Sequence, residues 1–282
     1  MRRTLFKKHR KYPKLFCYKP GWILLVLLLI ASCKKEDDPP QEVVGGHITL
    51  EVHHKINGQE LIKNQWLYVN MAGNSYQVTD VMYFISDICF YKTGGTYTMI
   101  RNQKEIFYIN DEEPSTMSIA LSDLIPPGSY DSVSFIFGID SVKNKSNRFV
   151  NPPEVIMAWP EVLGGGYHYM MINGKWKDTS GLEQPYNLHL GIGQLYHGTT
   201  YHTDSIYAYV QNYFRVTLPE SSFSINKNES LTFRLTMNLD RWFSTPHVFD
   251  LNYWGGAIMQ NQAAMQVLKE NGPFVFSWSQ AR

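Results

Sequence analysis

Eight histidines stand beyond residue 33: His47, His53, His54, His168, His189, His197, His202 and His247. A neutral imidazole can serve as a general base or as a ligand for a transition ion, and its neighbours decide which. No G-x-S-x-G elbow, H-E-x-x-H pair, phosphate loop or dinucleotide fingerprint accompanies these residues. The glycine run at 164–166 leads into a strand-like segment, whereas a phosphate cradle needs a helix N-terminus. Asp111, Glu112 and Glu113 precede Pro114 and read as solvated loop charge. No nucleophile sits with a base, so hydrolysis has the least support and no enzyme is expected.

Strand parity selects among the histidines. Side chains alternate along a strand, so in HITLEVHH (47–54) Ile48, Leu50, Val52 and His54 share the apolar side. His47 and His53 point outward with Thr49 and Glu51. In YHYMMINGKW (167–176), His168, Met170 and Ile172 share a face, opposite Tyr167, Tyr169 and Met171. KDTSGLEQP (177–185) joins this segment to YNLHLG (186–191) as a hairpin. If Trp176 pairs with Gly181 around a four-residue turn, His168 faces His189 directly, at a Cβ separation of about 4.5–5.5 Å. A slip of one residue would separate them. A histidine on a strand is more often a hydrogen-bonded structural residue than a ligand. Two in register, with methionine and tryptophan nearby, raise the case for a shared ion. Imidazole with thioether suits copper, and imidazole alone also suits zinc.

The elements that must position these residues are strands. Segments 47–54, 76–92, 105–110, 130–139, 167–176, 186–191, 205–218 and 230–239 are rich in Tyr, Phe, Val, Ile and Thr. Turn residues separate them. Only IMQNQAAMQVLKENG (258–272) has helical character, closed by Asn-Gly. The expected fold is all-β: an antiparallel, Greek-key-like β-sandwich with one short C-terminal helix, occupying 46–282 as a single domain.

The front of the chain is of another kind. Residues 1–20 carry eight Lys or Arg and no acid, and GWILLVLLLIAS then runs to Cys33. A basic lead and a short apolar run form a secretory signal (1–32), since a membrane span takes about twenty apolar residues. Ile30-Ala31-Ser32-Cys33 resembles a lipobox, so Cys33 is expected to carry lipid and to tie the protein to the outer membrane, on its periplasmic or cell-surface face. KKEDDPPQE continues as a flexible tether, 33–45. Without the leader, 18 basic residues face 25 acidic ones, a net charge of −7. That balance, with no basic cluster, argues against nucleic acid as a partner. Beyond Cys33 only Cys89 remains, so no intrachain disulfide is available and Cys89 reads as a small buried apolar residue.

Several ordered blocks resemble the copper-binding MbnP-like family. They are HHKINGQELIKNQWLYVNMAGNSY, VMYFISDICFYK, YDSVSFIFGIDSVKN, MAWPEVLGGGYHYMMINGKW, YNLHLGIGQ and LKENGPFVF, together spanning roughly 46 to 276. The resemblance implies a periplasmic or surface copper carrier, with many relatives being lipoproteins of Bacteroidota. It implies mononuclear copper held by histidines with a tryptophan oxidised to kynurenine, and a di-haem peroxidase-like partner. His54 and His189 match the family's histidines, and His168 matches a subset pattern. Met157 and Trp159 match the tryptophan-rich segment. Glu161 stands where a second tryptophan is common, which argues against the kynurenine chemistry. The expectation is therefore an envelope lipoprotein binding one transition ion, copper before zinc, for acquisition or storage. Its ligands would be His54, His168 and His189, with Met157, Trp159 and Met170 as soft ligands or a shielding wall. The ligands should fail as pH falls through about 6.5. The alternative is a metal-free surface module whose aromatic residues dock a glycan or a protein.

Overall fold

The alternating and continuously apolar segments do become strands. The computed structural model describes residues 44–101, 104–218 and 220–281. The leader, Cys33 and all but the last two residues of the tether lie outside that range.

The organising element is the long strand Ser75–Lys92. On one side its first half pairs with Met170–Lys177, which pairs in turn with Glu183–Leu190. Its second half pairs with Gly128–Phe137, which continues to Phe214–Leu218. Ile106–Asn110 lies along the same long strand, and short strands complete this nine-stranded sheet. A second, five-stranded sheet runs Phe276–Gln280, Ser230–Asn238, His47–Ile56, Gln59–Glu60, with Ser118–Ala120 against the first strand. The fold is a β-sandwich, as the strand pattern predicts.

The core lies between the two sheets. Tyr83 and Phe137 of the large sheet meet Phe276 of the small one at ring distances of 6.3 and 5.5 Å. Such aromatic pairs add about 0.5–1.5 kcal/mol each beyond the area they bury. Many of the aromatic residues are buried, and the largest fully buried side chains among the described residues are all Trp, Tyr or Phe. Cys89 is buried on the long strand, a free thiol as expected.

Three details differ from the sequence expectation. His47–Ile56 pairs with Ser230–Asn238 in parallel, so the sandwich is not wholly antiparallel. The predicted strand 205–218 is two, Ile206–Val210 and Phe214–Leu218, because the side chain of Asn212 is buried between them and bonds the Gly191 carbonyl at 2.9 Å. The helix spans Gln262–Asn271, with Asn261 capping Ala264 N–H at 3.1 Å, but a final strand, Phe276–Gln280, follows it. A single helical turn at Leu251–Trp254 precedes it.

Candidate metal centre

Which way each histidine points follows from the ladder. Glu183–Leu190 pairs with Met170–Lys177 in a register that sets His189 opposite Met171 and Lys177 opposite Glu183. The expected pairing of Trp176 with Gly181, and of His168 with His189, is not formed. The connecting turn is one residue longer, and Asp178 organises it. Its carboxylate accepts from the backbone N–H of Ser180 (2.9 Å) and Leu182 (3.0 Å), and Asp178 N–H donates to the Leu182 carbonyl. Along this hairpin Tyr186, Leu188 and Leu190 face the core with Met170 and Ile172. His189 faces outward with Met171 and Asn173.

His168 nevertheless meets His189. Strand geometry stops at Met170, and the preceding segment follows another course. Gly164, Gly165 and Gly166 all take positive φ (115°, 66° and 79°), a region open to glycine at no steric cost. A Cβ on Gly166 would stand 2.5 Å from Asn144 Oδ1, so the run is also a close approach of backbone. The chain then lies against 157–159: His168 N–H donates to the Met157 carbonyl (2.7 Å), and Trp159 N–H donates to that of Gly166 (2.8 Å). This break in alternation carries the His168 ring to the outer side. The rings of His168 and His189 stand perpendicular with centres 5.0 Å apart.

Each ring has one nitrogen committed. His168 Nδ1–H donates to the Met157 carbonyl at 2.9 Å, so its lone pair is on Nε2, which is buried and has no hydrogen-bond partner. His189 Nε2–H donates to Asn173 Oδ1 at 2.9 Å, and the Asn173 amide in turn reaches Asp80 at 3.4 Å. That leaves the lone pair of His189 on Nδ1. Burial lowers both rings from 6.5 to about 4, helped for His189 by its neighbour His168. Both are neutral at pH 7, the form that ligates. An orphaned, buried imidazole lone pair beside a second neutral imidazole is a donor set that fits a metal ion.

Trp159 walls this pair. Its ring centre is 4.6 Å from that of His168, and its indole N–H donates to the Leu163 carbonyl (3.1 Å). It lies over Gly191, where a Cβ would come within 2.5 Å of the indole. A cleft of about 460 Å³ opens beside His189, lined also by Asn187, Tyr201, Trp254, Met259 and Gln260.

The other expected ligands lie elsewhere. His54 does extend the buried stripe of its strand, but it belongs to the sandwich core, with Nε2 3.2 Å from the Tyr83 hydroxyl. Tyr83 pairs with Met170, and Met82 with Met171, so the large sheet stands between His54 and His189. Parity assigned His54 to the buried side correctly; what it could not give is which side of which sheet holds the pair. Met170 is on that same core side. Met157 contributes its carbonyl to His168, and its side chain is fully buried. Among the described residues no third His, Cys, Asp or Glu joins the pair. Met171 and Asn173, which flank His189, were missed. The true register would have found both.

Fold and site together define an all-β sandwich with a neutral two-imidazole site, one ring buried and the other half-buried, on the outer face of its larger sheet. The chain belongs to the MbnP family, whose model matches residues 45–260. Its structure is similar to that of MbnP from Methylosinus trichosporium, with a TM-score of 0.52 at 14% identity, covering 84% of this chain and 99% of that one. At that identity the likeness is one of fold. No curated protein matches the chain.

Proposed function

We propose that this protein binds a single copper ion at His168 and His189 and serves in copper acquisition or storage, not catalysis. The observation that carries the reading is the His168 Nε2 lone pair, buried and without a partner, 5.0 Å ring to ring from a second neutral imidazole. Membership of a family associated with copper supports the choice of metal. Zinc is the runner-up, because two imidazoles alone accept it as well. The Met157 carbonyl and Asn173 would hold the two rings in their tautomers, the orienting role that partners of ligating histidines commonly play. Trp159 would keep water from the pair. The basic leader and Cys33 support placement in the envelope through a lipid anchor, and family analogy supports a di-haem peroxidase-like partner.

Metal analysis of protein purified without chelator tests the reading. About one equivalent in the wild type, lost in His168→Ala/His189→Ala and kept in His54→Leu, is the expected result. Less than one equivalent of copper or zinc in the wild type, or retention by the double variant, overturns it.

A further inference from the structure

The rings of His168 and His189 stand perpendicular with centres 5.0 Å apart, close enough for one ion, held at about 2 Å by a nitrogen of each, to be shared. Two imidazoles would leave coordination positions of such an ion open to further donors. No carboxylate, thiol or further imidazole among the described residues is placed to fill them. Asn173 already accepts from His189 and donates to Asp80.

We infer that the thioether of Met171 is the third donor, making this a site for a soft monovalent ion, Cu(I) or Ag(I), in preference to Zn(II). Met171 is the direct cross-strand partner of His189. The two side chains rise from the same face with Cβ atoms about 4.5–5.5 Å apart. Met171 is only partly buried, unlike Met170 beside it, which is closed in the core. Its other cross-strand neighbour is Met82, so the row running across the sheet from His189 offers sulfur and no hard oxygen for two strands. Thioether sulfur is a soft donor that suits cuprous ion, and it is not among the usual ligands of zinc. The inference rests on the metal-binding reading of the histidine pair and names the ion that pair selects.

The test is anaerobic loading with Cu(I), followed by copper K-edge absorption spectroscopy and competition with a Cu(I) chelator. Met171→Leu conserves volume, so the apo protein should keep its melting temperature. The wild type should contain a sulfur scatterer that Met171→Leu lacks and Met259→Leu keeps. Cu(I) affinity should fall by about tenfold or more in Met171→Leu, while Zn(II) affinity changes by less than about threefold. One equivalent of Cu(I) bound through nitrogen and oxygen alone, or a sulfur scatterer that survives Met171→Leu, overturns the inference and leaves the histidine pair standing. A wild type that takes up no stoichiometric metal, or uptake unchanged in His168→Ala/His189→Ala, overturns the pair and this inference together.

Discussion

Replacing His54 with leucine separates a core histidine from a metal ligand, and the structure sets the size of the effect. His54 is buried against Tyr83, and burial lowers its pKa from 6.5 to about 3. The unfolded chain therefore binds a proton at this residue below pH 6.5 that the folded chain refuses until about pH 3. Wild-type stability falls across that window, by about 1.4 kcal/mol per pH unit for this one group. At pH 5 the loss from His54 reaches about 2 kcal/mol. His54→Leu abolishes that loss but leaves the Tyr83 hydroxyl buried without a partner, which costs about 1–3 kcal/mol at any pH. The variant should thus be less stable than wild type at pH 7 and about equal near pH 5. Adding Tyr83→Phe should recover part of the deficit at pH 7. Urea unfolding of the apo protein, followed by tryptophan fluorescence at several pH values, reads all three quantities. A variant with the wild-type pH slope between 6.5 and 5, or one that has lost its bound metal, refutes the placement of His54 in the core and apart from the site.

Bound metal should persist on acidification well below 6.5 and be weakened only as the pH falls below about 4, because burial keeps His168 and His189 unprotonated until then. Equilibrium dialysis across pH 7 to 4 checks this, and release centred near 6.5 would count against the buried pair. Gly191→Ala should destabilise the fold by about 1–3 kcal/mol, since its Cβ would meet the Trp159 ring at 2.5 Å. Metal affinity should fall with it if Trp159 shields the pair, which a paired unfolding and metal titration will read. Asn173→Leu removes the acceptor that fixes the His189 tautomer and should weaken metal binding about 10–100-fold. Asn173→Asp, which keeps an acceptor for His189 but sets a second carboxylate against Asp80, should bind more tightly than Asn173→Leu and less tightly than wild type.

Much of the fold is legible in the chain because burial on one face imposes a period of two that composition makes visible. His47–Ile56 shows it plainly, with Ile48, Leu50, Val52, His54 and Ile56 buried and the residues between them not. The parallel pairing of that strand with Ser230–Asn238 leaves no such trace, since alternation is the same in either direction. The site is half legible for a different reason. The register of the hairpin depends on a turn that the Asp178 carboxylate organises. Whether His168 stays in alternation depends on three consecutive glycines at positive φ. The residue pattern suggests a four-residue turn after Trp176 and a regular strand through Tyr169, and neither forms. The two departures oppose each other, so the histidines meet although the assumed pairing does not exist. His54 illustrates the limit of parity: it identifies a buried side chain, and a sandwich has two sides to every buried sheet.

The parallel ladder also governs when the molecule can finish folding. Glu51 lies beside Arg234, 183 residues later in the chain, and the same separation holds along the whole of that strand pair. Contacts so remote in sequence carry a large loop-closure cost and form slowly. The local hairpins of the larger sheet can assemble early, and the one formed by Met170–Lys177 and Glu183–Leu190 is among the most local of them. The smaller sheet must wait until the Ser230–Asn238 strand is available to receive the opening one. The histidine pair can thus take shape before the core beneath it is closed.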